Sequence, residues 1–489
     1  MMAAMMAAAA LAAAPSVNAD CAGGLCGYGV LRPYFEKLAT AKDGHGPPVH
    51  ILQIGDSHTA GDAITGAWRD LLQARYGSGG RGVMPPGKPF HGYNPRGVSV
   101  DMSPGWKISS IFGSNSQEPR GPIGLAGFSL TSTTDGARIG MTASAAQTFN
   151  RFIVCAMAQP GAGTLAISVG GVTEQMELGS LITRPECKEL HFDIAQPAVS
   201  VVVEGGPVTI TSWASFRDNG GVVLSNVGVV GSQFVHLSRG DDSVVAEELR
   251  SYRPDLIVLA FGTNEGFAPR VNGQEYEIVL RSQVGRIRRL AGNVPILMLG
   301  APDALTRRTE LLDNAATMTP APCIEPMTLP PESIAPPVVG AAASPPAPAM
   351  PANPSGDEIS DILVGLDYQG LRLQTAPSIA PPPASTLADA QPPAAKPKVG
   401  WVIAARPLFP PPGLKVVREV QRRVAQQLRL GFWDWEARMG GRCTAVNWVK
   451  IPPVRMRSDY VHYNSAGGQD IAGRLQVDMD AAANTGWHW

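Results

Sequence analysis

The chain has 489 residues, of which 44% are hydrophobic and 17% charged, enough apolar material for more than one buried core. Its formal net charge of -1 lacks the basic face or stripe that nucleic-acid binding leaves in a sequence, so no nucleic-acid partner is expected. No Cys-x-x-Cys pair and no histidine cluster has metal-ligand spacing, and neither metal nor cofactor is expected.

Met1 to Ala14 is an unbroken run of Met, Ala and Leu, and Pro15-Ser-Val-Asn-Ala19 ends in the small residues that a signal peptidase reads. Residues 1–19 are therefore expected to be a signal peptide, although the usual Lys or Arg near its start is missing. The run is too short and too Ala-rich to span a membrane, and no transmembrane segment is expected after cleavage. Export would place the protein in the periplasm or outside the cell, and no lipobox precedes Cys21. All six cysteines (Cys21, Cys26, Cys155, Cys187, Cys323, Cys443) lie beyond that point, where disulfides are permitted. Their connectivity is open, with Cys21 to Cys26 and Cys155 to Cys187 the least demanding pairs.

The first buried strand signal is Val49, Ile51, Leu52 and Ile54, closed by Gly55-Asp-Ser-His-Thr59. A serine just beyond such a strand, where a helix starts, sits at the carboxyl edge where open α/β sheets collect ligands. Ser57 is thus a candidate nucleophile, and His58 beside it a candidate contact at the rim. Further on, Gly82-Val-Met-Pro-Pro-Gly87-Lys88 imitates the start of a phosphate loop, but Pro89 replaces the required Ser or Thr. Pro85 and Pro86 have no N–H to offer a phosphate, so no nucleotide is expected and the loop is read as part of the site's rim.

From residue 97 to 221 the pattern turns to short β-prone runs broken by Gly and Pro, among them Arg151 to Met157, Thr164 to Val169, Val199 to Val203 and Val208 to Trp213. These suit a β-sandwich. The α/β pattern then resumes with Val222-Val-Leu224 leading into Ser225-Asn-Val-Gly-Val-Val-Gly231, and with Asp255 to Phe261, a continuous apolar run, leading into Gly262-Thr-Asn-Glu265. Helices are predicted near Asp241 to Tyr252 and Gln274 to Ala291, with a strand from Val294 to Leu299 after them. Residues 320–354 and 377–398 are Pro- and Ala-rich and suit extended polyproline conformations, with a short apolar segment at 357–373 between them. A helix at Gly413 to Leu430 carries the apolar stripe Val416, Val417, Val420, Val424 and Leu428. Last come Asp459-Tyr-Val-His462 and a closing helix at Ala466 to Met479.

An unactivated serine hydroxyl attacks poorly, and it needs an imidazole to take its proton and a carboxylate to orient that imidazole. His462 and Asp459 have this chemistry, and a three-residue spacing on a helical turn would put both on one face. Gly231, through its backbone N–H, and Asn264, through its amide, are suitable donors to the oxyanion of an attacked ester. Taken singly, each of these motifs also has an ordinary structural use as a turn, a cap or a core histidine.

In this order the four segments resemble the blocks of the SGNH (GDSL-type) hydrolase superfamily, which supply Ser, Gly, Asn and a closing Asp-x-x-His. The resemblance implies Ser57, Asp459 and His462 as catalytic residues, with the N–H groups of Ser57 and Gly231 and the Asn264 side chain as oxyanion hole. Ile54-Gly-Asp-Ser-His-Thr-Ala-Gly-Asp62, the Gly77 to Pro86 stretch, Phe432-Trp-Asp-Trp435 and Met439-Gly-Gly441 look like the periplasmic peptidoglycan O-acetylesterase branch. That branch implies a carbohydrate-binding-module-like β-domain between the first two blocks, where Trp106, Trp213 and Phe216 are candidate glycan-facing rings and Trp106 a candidate for the substrate rim.

The fold expected is therefore an SGNH-type three-layer α/β/α parallel sheet with an inserted β-sandwich and a Pro-rich insertion. Its parts would be a signal peptide at 1–19, catalytic segments at 20–96, 222–310 and 401–489, the sandwich at 97–221 and the Pro/Ala-rich insertion at 311–400. The expected activity is removal of O-acetyl groups from a cell-envelope polysaccharide, most simply O-acetylated peptidoglycan, through an acetyl-enzyme. The alternatives are a polysaccharide O-acetyltransferase using the same residues, and an inactive glycan-binding envelope protein.

Overall fold

A computed structural model describes residues 20–113, 121–268, 270–311, 321–324 and 407–485. The signal-like start and nearly all of the Pro-rich stretch, with its segment at 357–373, lie outside the described residues.

Two short strands, β1 (Cys21–Ala22) and β2 (Leu25–Cys26), are followed by β3 (Val49–Gly55), whose seven residues are all buried. After β4 (Gly82–Met84) come ten more strands before the sequence returns to parallel α/β structure: β5 (Val98–Met102), β6 (Trp106–Ser110), β7 (Phe128–Ser132), β8 (Arg138–Ala143), β9 (Phe149–Ala158), β10 (Thr164–Val169), β11 (Val172–Glu177), β12 (Arg184–Gln196), β13 (Ala198–Glu204) and β14 (Val208–Phe216). The last four are β15 (Val222–Gly228), β16 (Leu256–Ala260), β17 (Ile296–Leu299) and β18 (Gly431–Trp433).

One seven-stranded sheet runs β1-β2-β18-β17-β16-β3-β15, parallel from β18 to β15 and antiparallel at the β2 edge. Strands buried on both faces read as largely apolar runs, which is why β3, β15 and β16 were legible although His50 and Gln53 interrupt the first and Ser225 and Asn226 the second. Alternate residues feed two separate cores. Ile51, Leu224, Val258 and Leu297 meet Trp68, Leu72, Ile471 and Leu475 from the helices Ala63–Tyr76 and Ser465–Asn484. On the other face Leu52, Val223, Leu259 and Met298 meet Leu249, Leu280, Val284, Val417 and Val424 from the helices Asp242–Tyr252, Gly273–Ala291 and Pro412–Gln427. The helices Asp242–Tyr252, Gly273–Ala291, Pro412–Gln427 and Ser465–Asn484 lie within a few residues of their predicted positions, whereas Ala63–Tyr76 was not anticipated. The β1–β2 hairpin and β18 were not anticipated, being only two or three residues long.

The remaining strands form two antiparallel sheets, β11-β10-β13-β8-β5 and a second through β12-β9-β14-β7-β6 to which β4 adds by pairing with β14. Their inner faces share one core that includes Leu130, Ile139, Phe152, Val154, Ile167, Val201 and Trp213. Trp213 and Phe216 are buried rings, so neither is the glycan-facing aromatic that the sequence suggested. Trp106 is half-buried at the start of β6, against the same core, and its indole Nε1 is enclosed without a partner. The supposed phosphate-loop mimic is also displaced from its expected role. Val83 pairs into β14, and Gly87 lies against Leu130, Ile139 and Met102, so this stretch is a joint with the sandwich and not a rim of the Ser57 site.

All six cysteines are paired, as Cys21–Cys26, Cys155–Cys187 and Cys323–Cys443. The first two are the least demanding pairs; Cys155 and Cys187 face each other across β9 and β12. Among the described residues no helix is long and apolar enough to cross a membrane.

Candidate active site

Three parallel strands end at one level: Gly55 of β3 lies in register with Gly228 of β15 and Ala260 of β16. Immediately beyond these ends the chain delivers Ser57, Gly231 and Asn264, at the carboxyl edge where such sheets bind ligands.

Ser57 begins the short helix Ser57–Ala60, capped by Asp56, whose carboxylate accepts from the His58 N–H. As the first helical residue, Ser57 has a backbone N–H with no intrahelical acceptor. The helix lies so close to β15 that a Cβ on Gly228 would come 2.4 Å from the Ala60 nitrogen, so only glycine fits there. Asn226 of β15 donates to the Thr59 carbonyl (3.0 Å), and its own oxygen accepts from Arg69 (3.0 Å) and Arg81 (2.7 Å). Both arginines also reach Asp62, at 3.0 and 3.2 Å, in a buried ion cluster. Burial alone would raise the Asp62 pKa, but the two guanidinium groups outweigh it and hold it at about 2. The serine therefore rides on a segment pinned at its cap, its last turn and the residues that follow.

His462 Nε2 stands 2.9 Å from Ser57 Oγ, and His462 Nδ1 stands 2.8 Å from Asp459 Oδ2. Asp459 Oδ1 accepts from the backbone N–H groups of Val461 and His462, so the carboxylate is fixed at both oxygens. Burial pushes the Asp459 pKa up, yet the His462 hydrogen bond and charge and these two N–H groups bring it down to about 2. The segment is not the helical turn that the spacing suggested. It is a loop closed by Arg457 N–H to His462 O and Tyr460 N–H to Arg457 O, with Tyr460 at φ 60°. The three-residue spacing works here because the loop folds back on itself.

Gly231 takes φ 79°, and a Cβ there would meet the Phe112 ring at 2.4 Å. Phe112 in turn stacks on His236 with ring centroids 4.6 Å apart. Asn264 heads towards the same space from the helix Thr263–Gly266; one of its amide hydrogens goes to Ser232 O (2.9 Å), and its backbone oxygen accepts from Gln233. An amide has two such hydrogens, which leaves one for a ligand.

His58 lines the cavity beside Ser57, as a rim residue would, and its ring is also held from within. It is buried, with Nε2 3.0 Å from Val461 O and Nδ1 3.3 Å from Asp56 Oδ1, and it stacks on His462 at 5.4 Å. Burial lowers its pKa, but the Asp56 hydrogen bond and charge, the Val461 carbonyl and Asp459 outweigh that, and the net shift is upward. Each ring nitrogen faces an oxygen, so both contacts are hydrogen bonds only when both nitrogens are protonated. His58 ties the cap of the serine helix to the loop that carries His462. Trp106 stands at the start of β6 against the sandwich core and is not among the residues that line the cavity beside Ser57.

The cavity beside Ser57 has a volume of about 30 Å³ and is lined by Ser57, His58, Gly61, Ala63, Ile64, Arg457, His462 and Tyr463. Arg457, Phe112 and Tyr463 went unnoticed in the sequence, since a lone arginine or aromatic ring carries no spacing signal. Phe432-Trp-Asp-Trp435 and Met439 lie beneath the site: Trp435 stacks on Tyr463 at 5.8 Å and meets His58 edge-on at 5.5 Å, while Tyr463 OH donates to Met439 Sδ. Among the described residues, no group of three or more His, Cys, Asp or Glu side chains could hold a metal.

No protein-family model matches the chain, and neither does any curated protein sequence. Solved structures do. The structure of a peptidoglycan O-acetylesterase is 23% identical, covers 95% of this chain and 100% of its own, and superposes with a TM-score of 0.64. A GDSL-like lipase from Parabacteroides merdae ATCC 43184 is 13% identical over 53% of this chain and 73% of its own, at a TM-score of 0.26. A family two carbohydrate esterase from Cellvibrio japonicus is 14% identical over 42% of this chain and 79% of its own, at 0.15. The last two superpositions are too loose to add weight, but the first spans almost the whole molecule. With its three strand ends in register beneath Ser57, Gly231 and Asn264, the chain has an SGNH (GDSL-type) hydrolase-like fold.

Proposed function

We propose that the protein is an exported serine esterase that removes O-acetyl groups from a cell-envelope polysaccharide, with O-acetylated peptidoglycan as substrate. The scaffold is read as a three-layer α/β/α domain with an inserted β-sandwich that presents the glycan. The observation that carries the activity is the relay from Asp459 through His462 to Ser57, at 2.8 and 2.9 Å, at the strand ends beyond which Gly231 and Asn264 also follow. The small cavity beside it suits a short acyl group such as acetyl. Likeness to a peptidoglycan O-acetylesterase along almost the full chain supports the choice of glycan.

In the first step Ser57 Oγ bonds to the acetyl carbonyl carbon while His462 Nε2 takes its proton. The carbonyl oxygen becomes an oxyanion held by the N–H groups of Ser57 and Gly231 and by Asn264 Nδ2. The C–O bond to the sugar then breaks, and the departing sugar oxygen takes the proton from His462. In the second step water gives a proton to His462 and attacks the acetyl-serine, releasing acetate and restoring Ser57. Asp459, ionised throughout, holds the ring in the tautomer that keeps Nε2 as base.

The test is to incubate the mature protein with O-acetylated peptidoglycan and with the same material after chemical de-O-acetylation, and to measure free acetate with and without an added acceptor oligosaccharide. Acetate is expected from the acetylated material alone. Transfer of acetyl to the acceptor with little free acetate would replace the esterase by a transferase, and no turnover in either form would remove the enzymatic reading.

A further inference from the structure

Among the described residues, Arg457 is the one charged side chain in the wall of the Ser57 cavity with no hydrogen bond or ion pair. Its backbone is fully committed, because its N–H donates to His462 O (2.8 Å) and its carbonyl accepts from Tyr460 (3.1 Å). These bonds fix where the side chain starts. The guanidinium lines the cavity with Ser57 and His462, and its Nη1 is buried without a hydrogen-bond acceptor among the described residues.

Neighbouring arginines show what is missing. Arg455, two residues earlier, gives its Nε to Asp470 (2.7 Å) and lies over Trp448, and Arg474 pairs with the same carboxylate. The acid closest to Arg457 along the chain, Asp459, has one oxygen on the His462 ring and the other on two backbone N–H groups. Buried donors in folded proteins are almost always satisfied, and one that is not points to a group that arrives later. More positive charge stands beside the same loop: Lys450 and Arg307 lie 6.0 and 5.9 Å from the Tyr460 ring.

We infer that Arg457 recognises a carboxylate on the acetylated glycan, so that the substrate class is an acidic polysaccharide whose carboxyl group lies close to the acetylated hydroxyl. A guanidinium is permanently charged and matches a carboxylate with two parallel N–H donors, which a neutral sugar cannot offer in return. The inference rests on the esterase reading above and narrows it. The carboxylate could belong to a lactyl ether on an amino sugar or to a uronic acid.

Two acetylated oligosaccharides, one with lactyl ether carboxylates and one with uronic acid carboxylates, are compared with the same compounds after amidation of the carboxyl group. With the unsubstituted protein, kcat/KM for one acid is expected to exceed that for its amide by about ten- to a hundredfold, the size of a hydrogen bond to a charged partner. Which acid shows the preference identifies the source. Arg457→Gln should bring that ratio close to one, and Arg457→Lys should keep part of it. A ratio near one for both pairs in the unsubstituted protein overturns the proposal without needing any variant, as does a ratio that survives Arg457→Gln. Calorimetric binding of the same acids to Ser57→Ala, with and without Arg457→Gln, separates the two readings. Carboxylate-dependent binding without acetate release would leave the recognition standing and remove the esterase, and acetate release without carboxylate preference would do the reverse.

Discussion

His462 Nε2 lies 2.9 Å from Ser57 Oγ across a sequence separation of 405 residues, so the reacting pair exists only in the folded chain. Ser57→Ala removes the nucleophile, and among the residues lining the cavity no other hydroxyl is hydrogen-bonded to a ring base. Acetate release should fall at least about a thousandfold, as should the rate with His462→Ala, and the double variant should be no worse than either, because the members act as one unit. Rates are read with a small acetyl ester and with acetylated glycan. Retention of a tenth of the original activity in Ser57→Ala would refute the assignment.

The Asn264 amide keeps one hydrogen on Ser232 O and has one to give. Asn264→Ala should therefore lower kcat by roughly a hundred- to a thousandfold with little change in KM, since the lost bond forms fully only with the oxyanion. Steady-state kinetics decide the matter. A rise in KM at constant kcat would make Asn264 a substrate-binding residue.

Asp62 is buried between Arg69 and Arg81 with its pKa held at about 2, below the ordinary aspartate range. A depressed folded-state pKa means that the unfolded chain binds the proton more readily, so the stabilisation is complete above about pH 4 and is lost as pH falls through 2. Asp62→Asn should destabilise the protein by about 3–5 kcal/mol near pH 7, because two buried guanidinium groups lose their counter-charge. The gap between the two proteins in denaturant melts should narrow by on the order of 2 kcal/mol between pH 5 and pH 2. A gap independent of pH would show that folding does not lower the pKa of Asp62.

Trp106 packs on the sandwich core and does not line the cavity beside Ser57. Trp106→Ala should lower stability by about 2–4 kcal/mol. Below its melting range the variant should retain the same ratio of activity on polymeric glycan to activity on a small ester. A selective loss on the polymer would put Trp106 on a glycan-binding surface after all.

Much of the site was legible because its parts sit at the ends of largely apolar runs. Strands β3, β15 and β16 announce themselves, and the residues that follow them are Ser57, Gly231 and Asn264. What escaped has physical reasons. The β1–β2 hairpin and β18 are too short to show any period, and they gain their place by pairing at the sheet edge. Trp213 and Phe216 were ambiguous because an aromatic ring serves a core and a sugar face equally well; packing decided for the core, with Trp213 inside the sandwich and Phe216 against His50 and Tyr252. His58 looked like a ligand contact because it adjoins the nucleophile, whereas the helix start turns its ring inward to Val461 and Asp56. Arg457 could not be found at all, since its lack of a partner is a property of the folded loop.

The disulfide from Cys323 to Cys443 has company at one end: Cys323 N–H donates to Leu408 O at 2.7 Å, and Thr306 exchanges backbone hydrogen bonds with Phe409. Residues 323 and 408, 85 positions apart in sequence, are thus neighbours in space, and closing so long a stretch costs only a little more than closing a short one, because loop entropy grows slowly with length. Leu305, next to Thr306 in this junction, gives its N–H to the Tyr460 carbonyl, inside the loop that carries Asp459 and His462. The paired ends therefore brace the catalytic loop from behind, and a shortened chain that joins Ile324 directly to Pro407 should keep its activity on a small acetyl ester.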